Sequence, residues 1–119
     1  MDLKLSDRQR AKLKEFRLFA SNELESAGKA YPWSNLHKMG ERGYLGLPIP
    51  RAWGGKGEDF STYIFLIQEV SRVCASTGVI LAVHTSVGTF PLLYYGTREQ
   101  KERYLLPLAR GEIIGAFAL

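Results

Sequence analysis

The chain has 119 residues, of which 45% are hydrophobic, 12% aromatic and 24% charged, a composition that supports one packed domain or a piece of one and excludes a disordered chain. Sixteen basic and twelve acidic side chains leave a formal charge of +4; the bases are scattered and join no recognition motif, so nucleic-acid binding is not expected. Cys74 is the single cysteine, which excludes an internal disulfide framework.

Other classes fall away on pattern. The N-terminal stretch carries charge from Asp2 and has no apolar h-region, so no secretory signal is visible. The longest apolar stretches are interrupted at His84, Thr85 and Gly88, and none is expected to approach the roughly 20 residues of a membrane span. The expectation is a soluble, intracellular protein. His37 and His84 are the two histidines and lack metal-ligand spacing, so no metal is expected.

Ser6 and Gln9 have capping-box spacing, and Leu13, Phe16, Ala20 and Leu24 recur at three and four, which predicts a surface helix with one apolar face ending near Gly28. Ser34 can cap a short helix carrying Leu36 and Met39, with Gly43 suited to its C′ position. Pro48 and Pro50 forbid a helix through Tyr44–Pro50, so this apolar segment reads as packed loop. Gly54, Gly55 and Gly57 then read as a tight turn, because they lack a phosphate-loop spacing and a Gly-Lys-Ser/Thr ending.

Asp59 is a good N-cap for a central helix with Phe60, Tyr63, Ile64, Ile67, Val70 and Cys74 facing inward, widened by Leu66 and Val73. Glu69 and Arg72 are spaced to pair on its surface, for about 0.3 kcal/mol. Ala75–Gly78 reads as a break, and Val79–Val87 as another helix in which His84 is a buried histidine with one hydrogen bond. Gly88–Pro91 punctuates the chain before a short helix over Leu92–Tyr95, closed by Gly96. Thr97 and Gln100 repeat the capping box for a helix to about Leu106, with Tyr104, Leu105 and Leu108 inward. Residues 113–119 read as the start of a strand whose partners lie elsewhere. The expected fold is all-α, an irregular antiparallel bundle of about five or six helices. Ending on an unpartnered strand, the chain is expected to be the front part of a larger protein.

Three stretches carry a resemblance. They are Gly43-Tyr44-Leu45-Gly46-Leu47-Pro48 through Trp53-Gly54-Gly55; Glu69-Val70-Ser71-Arg72-Val73-Cys74-Ala75-Ser76-Thr77-Gly78 through His84-Thr85-Ser86; and Tyr95-Gly96-Thr97-Arg98-Glu99-Gln100-Lys101 with Tyr104-Leu105, Pro107-Leu108-Ala109 and Gly111-Glu112. In this order and separation the chain resembles the amino-terminal helical domain of the acyl-CoA dehydrogenases, over essentially its whole length.

The resemblance implies that residues 1–112 form that helical domain and 113–119 begin a middle β-domain. It implies FAD as cofactor, oxidation of an acyl-CoA to the trans-2-enoyl-CoA, electron-transferring flavoprotein as electron acceptor, and a homotetramer or homodimer. The family's catalytic glutamate comes from its third domain, so no catalytic residue is expected here. Phe117 and Leu119 fall where the family has flavin neighbours. Ser86, Gly88, Thr89, Phe90 and Leu93 fall on the segment that partly bounds the acyl pocket. On the residues alone, Phe90 and Leu93 read equally well as bundle core. An acyl-CoA oxidase or nitroalkane oxidase on the same scaffold and a helical interaction module without a cofactor stand as alternatives.

Overall fold

The computed structural model describes residues 4–26 and 28–119. Among the described residues seven α-helical segments occur: α1 (Asp7–Glu23), α2 (Trp33–Glu41), α3 (Phe60–Val73), α4 (Ala75–Val83), α5 (Phe90–Tyr95), α6 (Arg98–Gln100) and α7 (Leu106–Ala109). A π-helical turn at His84–Thr89 joins α4 to α5, and another at Lys101–Leu105 joins α6 to α7. The bundle is therefore built from five continuous helical bodies among the described residues. α3 lies at its centre, packed between α1 and α4.

Both capping boxes form. Ser6 Oγ accepts the Gln9 N–H at 3.1 Å while Gln9 Oε1 accepts the Ser6 N–H at 3.0 Å; Thr97 and Gln100 repeat this at 3.2 and 2.9 Å. Each reciprocal pair satisfies two backbone donors that a helix start leaves open. α1 stops at Glu23, short of Gly28. The buried Asn35 amide provides the reason: it accepts the Glu25 N–H at 2.9 Å and donates to the Glu25 carbonyl at 2.6 Å, holding that backbone outside the helix. α2 begins at Trp33 with Pro32 in the cap position, so Ser34 lies inside it and does not cap it.

The inward face of α3 is rotated from the expected one. Thr62, Tyr63, Leu66, Glu69 and Val70 are buried, while Phe60 and Ile64 are exposed. With α1 on one flank and α4 on the other, the buried arc takes in polar positions that periodicity assigns to solvent. The break after α3 is a single extended residue, Cys74; Ala75–Gly78 is already helix.

Gly88–Pro91 also fails to interrupt the chain, and the helix runs from Ala75 to Tyr95 over 21 residues. This length and composition would allow a membrane span, contrary to the expectation from the interruptions at His84, Thr85 and Gly88. Its buried Thr77, His84, Thr85 and Thr89 instead face the protein core. Proline 91 has no N–H and its ring clashes with the carbonyl four residues back in a regular helix; the wider π turn ends two residues before it. Pro107 stands in the same relation to the second π turn. Thr89 Oγ1 donates to the His84 carbonyl at 2.6 Å, satisfying an oxygen within the widened turn.

The main core gathers Phe16, Phe19, Met39, Tyr44, Leu66 and Leu81 with their neighbours. Tyr44 stands edge-on to Phe16 and Phe19, with ring centroids 5.3 and 5.0 Å away. A smaller core of Ile49, Leu105 and Ala109 lies under Trp53, Phe90, Leu92 and Leu93. Leu105 and Leu108 face inward as expected, but Tyr104 is exposed. Residues 113–119 form no strand; their backbone has no neighbouring strand among the described residues to take its hydrogen bonds.

Candidate functional site

The π turn at His84–Thr89, α5 and the final segment come together on one side of the bundle. Gly88 and Gly115 meet there backbone to backbone. A Cβ placed on Gly88 would lie 2.9 Å from the Gly115 Cα, and one on Gly115 would lie 3.0 Å from the Gly88 Cα. Glycine at both positions is what permits the approach. The stretch that holds expected site residues 86–93 thereby meets the chain two residues before Phe117.

Within this region the side chains divide. Ser86 is exposed and its Oγ donates to the Ala82 carbonyl at 2.6 Å, one helical turn back. Thr89 is fully buried with its hydroxyl committed to His84. Phe90 and Leu93 are half-buried on the smaller core. Phe90 lies between Phe60, at 6.5 Å, and Tyr94, at 5.6 Å centroid to centroid, so its outer side belongs to a row of exposed rings. Phe117 is 61% exposed and Leu119 fully exposed.

His84 is more tightly held than one hydrogen bond. Its Nδ1 accepts the Gly115 N–H at 2.9 Å, which fixes the proton on Nε2. Nε2 then faces two carbonyl oxygens, Leu45 at 3.1 Å and Leu108 at 3.0 Å. Burial pushes the imidazole below its usual pKa, outweighing the two carbonyl contacts that favour the charged form. The ring is neutral and structural in chemistry. Periodicity signals its burial but gives no hint of the partner at Gly115.

Glu69 corrects a second expectation, because its pair with Arg72 is not a surface one. The carboxylate is fully buried and accepts from Arg72 at 2.7 Å and from Arg17 of α1 at 3.2 Å. Burial alone would raise its pKa; the hydrogen bonds from the two guanidinium groups overcome this and hold it below the usual range. A carboxylate locked as an ion pair is a poor proton acceptor.

The remaining candidates resolve plainly. In the Gly54–Gly57 turn, the N–H groups of Gly55, Lys56 and Gly57 donate to Pro50, Gly46 and Ile49 carbonyls, leaving no amide cradle for a phosphate. Arg8, Lys12 and Arg17 of the basic N-terminal group are bound to Glu58, Glu15 and Glu69. His37 pairs with Glu41 at 3.3 Å, far along the chain from His84. Two grooves, of about 420 and about 580 Å³, open on the surface; the first takes in Ile113 and Ile114 of the final segment, and neither has residues 86–93 in its lining.

Residues 6–112 match the family model described as the acyl-CoA dehydrogenase N-terminal domain. The chain belongs to the acyl-CoA dehydrogenase family. It is 46% identical over 112 residues to an acyl-CoA dehydrogenase of Bacillus subtilis, covering 89% of this chain and 30% of that protein. It is 41% identical over 125 aligned positions to a short-chain specific acyl-CoA dehydrogenase of Clostridium acetobutylicum, covering 100% of this chain and 33% of that protein. Among solved structures, butyryl-CoA dehydrogenase from Megasphaera elsdenii superposes with a TM-score of 0.83 at 26% identity, over 96% of this chain and 32% of that one. The chain thus spans about a third of the length of these relatives, and its all-helical fold is that of the family's N-terminal domain.

Proposed function

We propose that this chain forms one wall of an FAD-dependent acyl-CoA dehydrogenase that oxidises an acyl-CoA to the trans-2-enoyl-CoA. The observation that carries the reading is the Gly88–Gly115 contact, which brings the acyl-wall segment and the flavin-side segment against each other. In this reading residues 1–112 are the helical domain, 113–119 lead into the middle β-domain, and the catalytic base stands on polypeptide beyond them. Ser86, Gly88, Phe90 and Leu93 line the acyl side, and Thr89 supports them from behind. Electrons leave to an electron-transferring flavoprotein, and the complete protein is a homotetramer or homodimer of the cytoplasm or mitochondrial matrix.

The final segment suits a flat heteroaromatic ring. Phe117 and Leu119 present exposed apolar surface two residues apart, and no hydrogen bond holds the backbone of residues 116–119 among the described residues. Their N–H groups are free to donate to ring heteroatoms. Residues 111–119 contain no lysine or arginine, which suits this segment to the ring more than to the diphosphate. When bound, FAD supplies the hydride-accepting chemistry. This chain's own contribution is position and dryness: apolar side chains exclude water from the acyl chain and so strengthen whatever polarises the thioester carbonyl.

The test is chain-length preference in the complete enzyme. Each methylene buried contributes about 0.8 kcal/mol, about fourfold in specificity. Phe90→Ala shortens the side chain at the wall and is expected to move the optimum toward longer acyl chains. Unchanged relative turnover across the acyl-CoA series would overturn the assignment of this segment.

A further inference from the structure

We propose that His84 is a positioning residue: its imidazole fixes where residues 115–119 cross the π turn, and so sets the spacing between the acyl wall and Phe117 and Leu119. The proposal rests on the reading that Phe117 and Leu119 face the flavin.

His84 contacts three segments that are 24, 31 and 39 residues away in sequence, through the Leu108 carbonyl, the Gly115 N–H and the Leu45 carbonyl. The Nδ1–Gly115 bond is the single hydrogen bond made by residues 113–119 among the described residues. Opposite it, the Gly88–Gly115 contact leaves no room for the tail to slide inward, and a Cβ on Gly115 would meet the His84 carbonyl at 3.4 Å. One acceptor and one hard contact therefore define a seat for Gly115. Beyond that seat the backbone is unbonded, so the position of Phe117 and Leu119 is inherited from it. The ring itself is anchored from its far side by Nε2, and it is fully buried. A histidine serving the core alone needs only the Nε2 contacts.

The two halves of the ring can be separated by substitution. His84→Asn keeps an acceptor near the Nδ1 position and loses the Nε2 donor; His84→Gln keeps a donor near Nε2 and loses the acceptor. Both variants are made in the complete, FAD-loaded enzyme, with Phe117→Ala alongside. Deuterium uptake is read on peptides covering residues 113–119, with the flavin absorption spectrum, the FAD dissociation constant, and kcat and KM separately.

His84→Gln is expected to keep the denaturation midpoint while uptake over 113–119 rises about fivefold and FAD weakens by a similar factor, the equivalent of one neutral hydrogen bond. kcat should fall more than KM changes. His84→Asn is expected to lower the midpoint while leaving tail uptake near wild type. Equal behaviour of the two variants, or unchanged tail uptake in His84→Gln, would overturn the proposal. If Phe117→Ala loosens FAD and His84→Gln does not, the positioning role falls alone. If neither loosens FAD, the reading that sets the flavin beside Phe117 falls and the proposal with it.

Discussion

Glu69 on α3 and His84 in the π turn are both fully buried ionisable groups on packed neighbouring helices, yet they are held by opposite means. Glu69 keeps its charge because two arginines, each more than half exposed, reach in from the surface. His84 is kept neutral by its burial, and backbone groups of three segments seat the ring. Side chains that reach inward fix two helices to each other and nothing more. Backbone partners tie the position of main chain to a single ring, and main chain carries a site. The α1–α3 half is therefore a scaffold, and the half after Cys74 is where a wall can be shaped.

Substitutions can break that contrast. The largest effect is expected from Phe16→Ala in the scaffold, about 4 kcal/mol for a fully buried aromatic, read as a denaturation midpoint; Phe90→Ala, half-buried, should cost markedly less while altering substrate preference. Comparable losses at both sites would erase the distinction. Next comes the double variant Arg17→Ala/Arg72→Ala, which strands the Glu69 carboxylate and should cost about 3 kcal/mol. Glu69→Gln, which strands no buried charge, should cost less, and a reversed order in urea titrations would refute the ion-pair account.

The pH dependence sharpens the comparison further. Both folded-state pKa values are depressed, so both contributions are complete at high pH and vanish as pH falls. The His84 contribution is lost on descending from about 6.5, the Glu69 contribution on descending from about 4.3. Stability measured from pH 8 to 3 should fall in two stages. His84→Gln should remove the upper stage and Glu69→Gln should shrink the lower, which Glu15 and Asp59 share. The smallest expected effect is Asp59→Ala, about 1 kcal/mol for an N-cap whose carboxylate accepts the Thr62 N–H at 2.7 Å, checked by the same midpoint.

What was legible in the sequence follows the reach of each interaction. The Ser6, Asp59 and Thr97 caps act over three residues and all form where expected. The end of α1 was not legible, because Asn35 imposes it from ten residues away. The burial of Glu69 was hidden for the same reason, with Arg17 arriving from 52 residues off. Gly88 and Pro91 read as a helix break because local rules contain no π turn that absorbs a proline. At the site, residues 86–93 could be singled out by family likeness. Their junction with Gly115 through a glycine contact and a histidine nitrogen is tertiary and leaves no local pattern.

The π turn at His84–Thr89 has a consequence for how this protein tolerates insertions and deletions. Regular α winding advances 100° per residue, and the turn holds one residue more than that winding accommodates. Excising a single residue there would let the turn close to regular α winding with Phe90 and everything after it near its present face, whereas the same excision in a regular stretch of helix would swing them by about 100° around the axis. The aromatic row would keep its direction after the loss at the turn and lose it after a loss elsewhere in the helix. A one-residue difference in length is thus absorbed inside this turn, a tolerance that comparison of lengths between His84 and Pro91 in related chains would reveal directly.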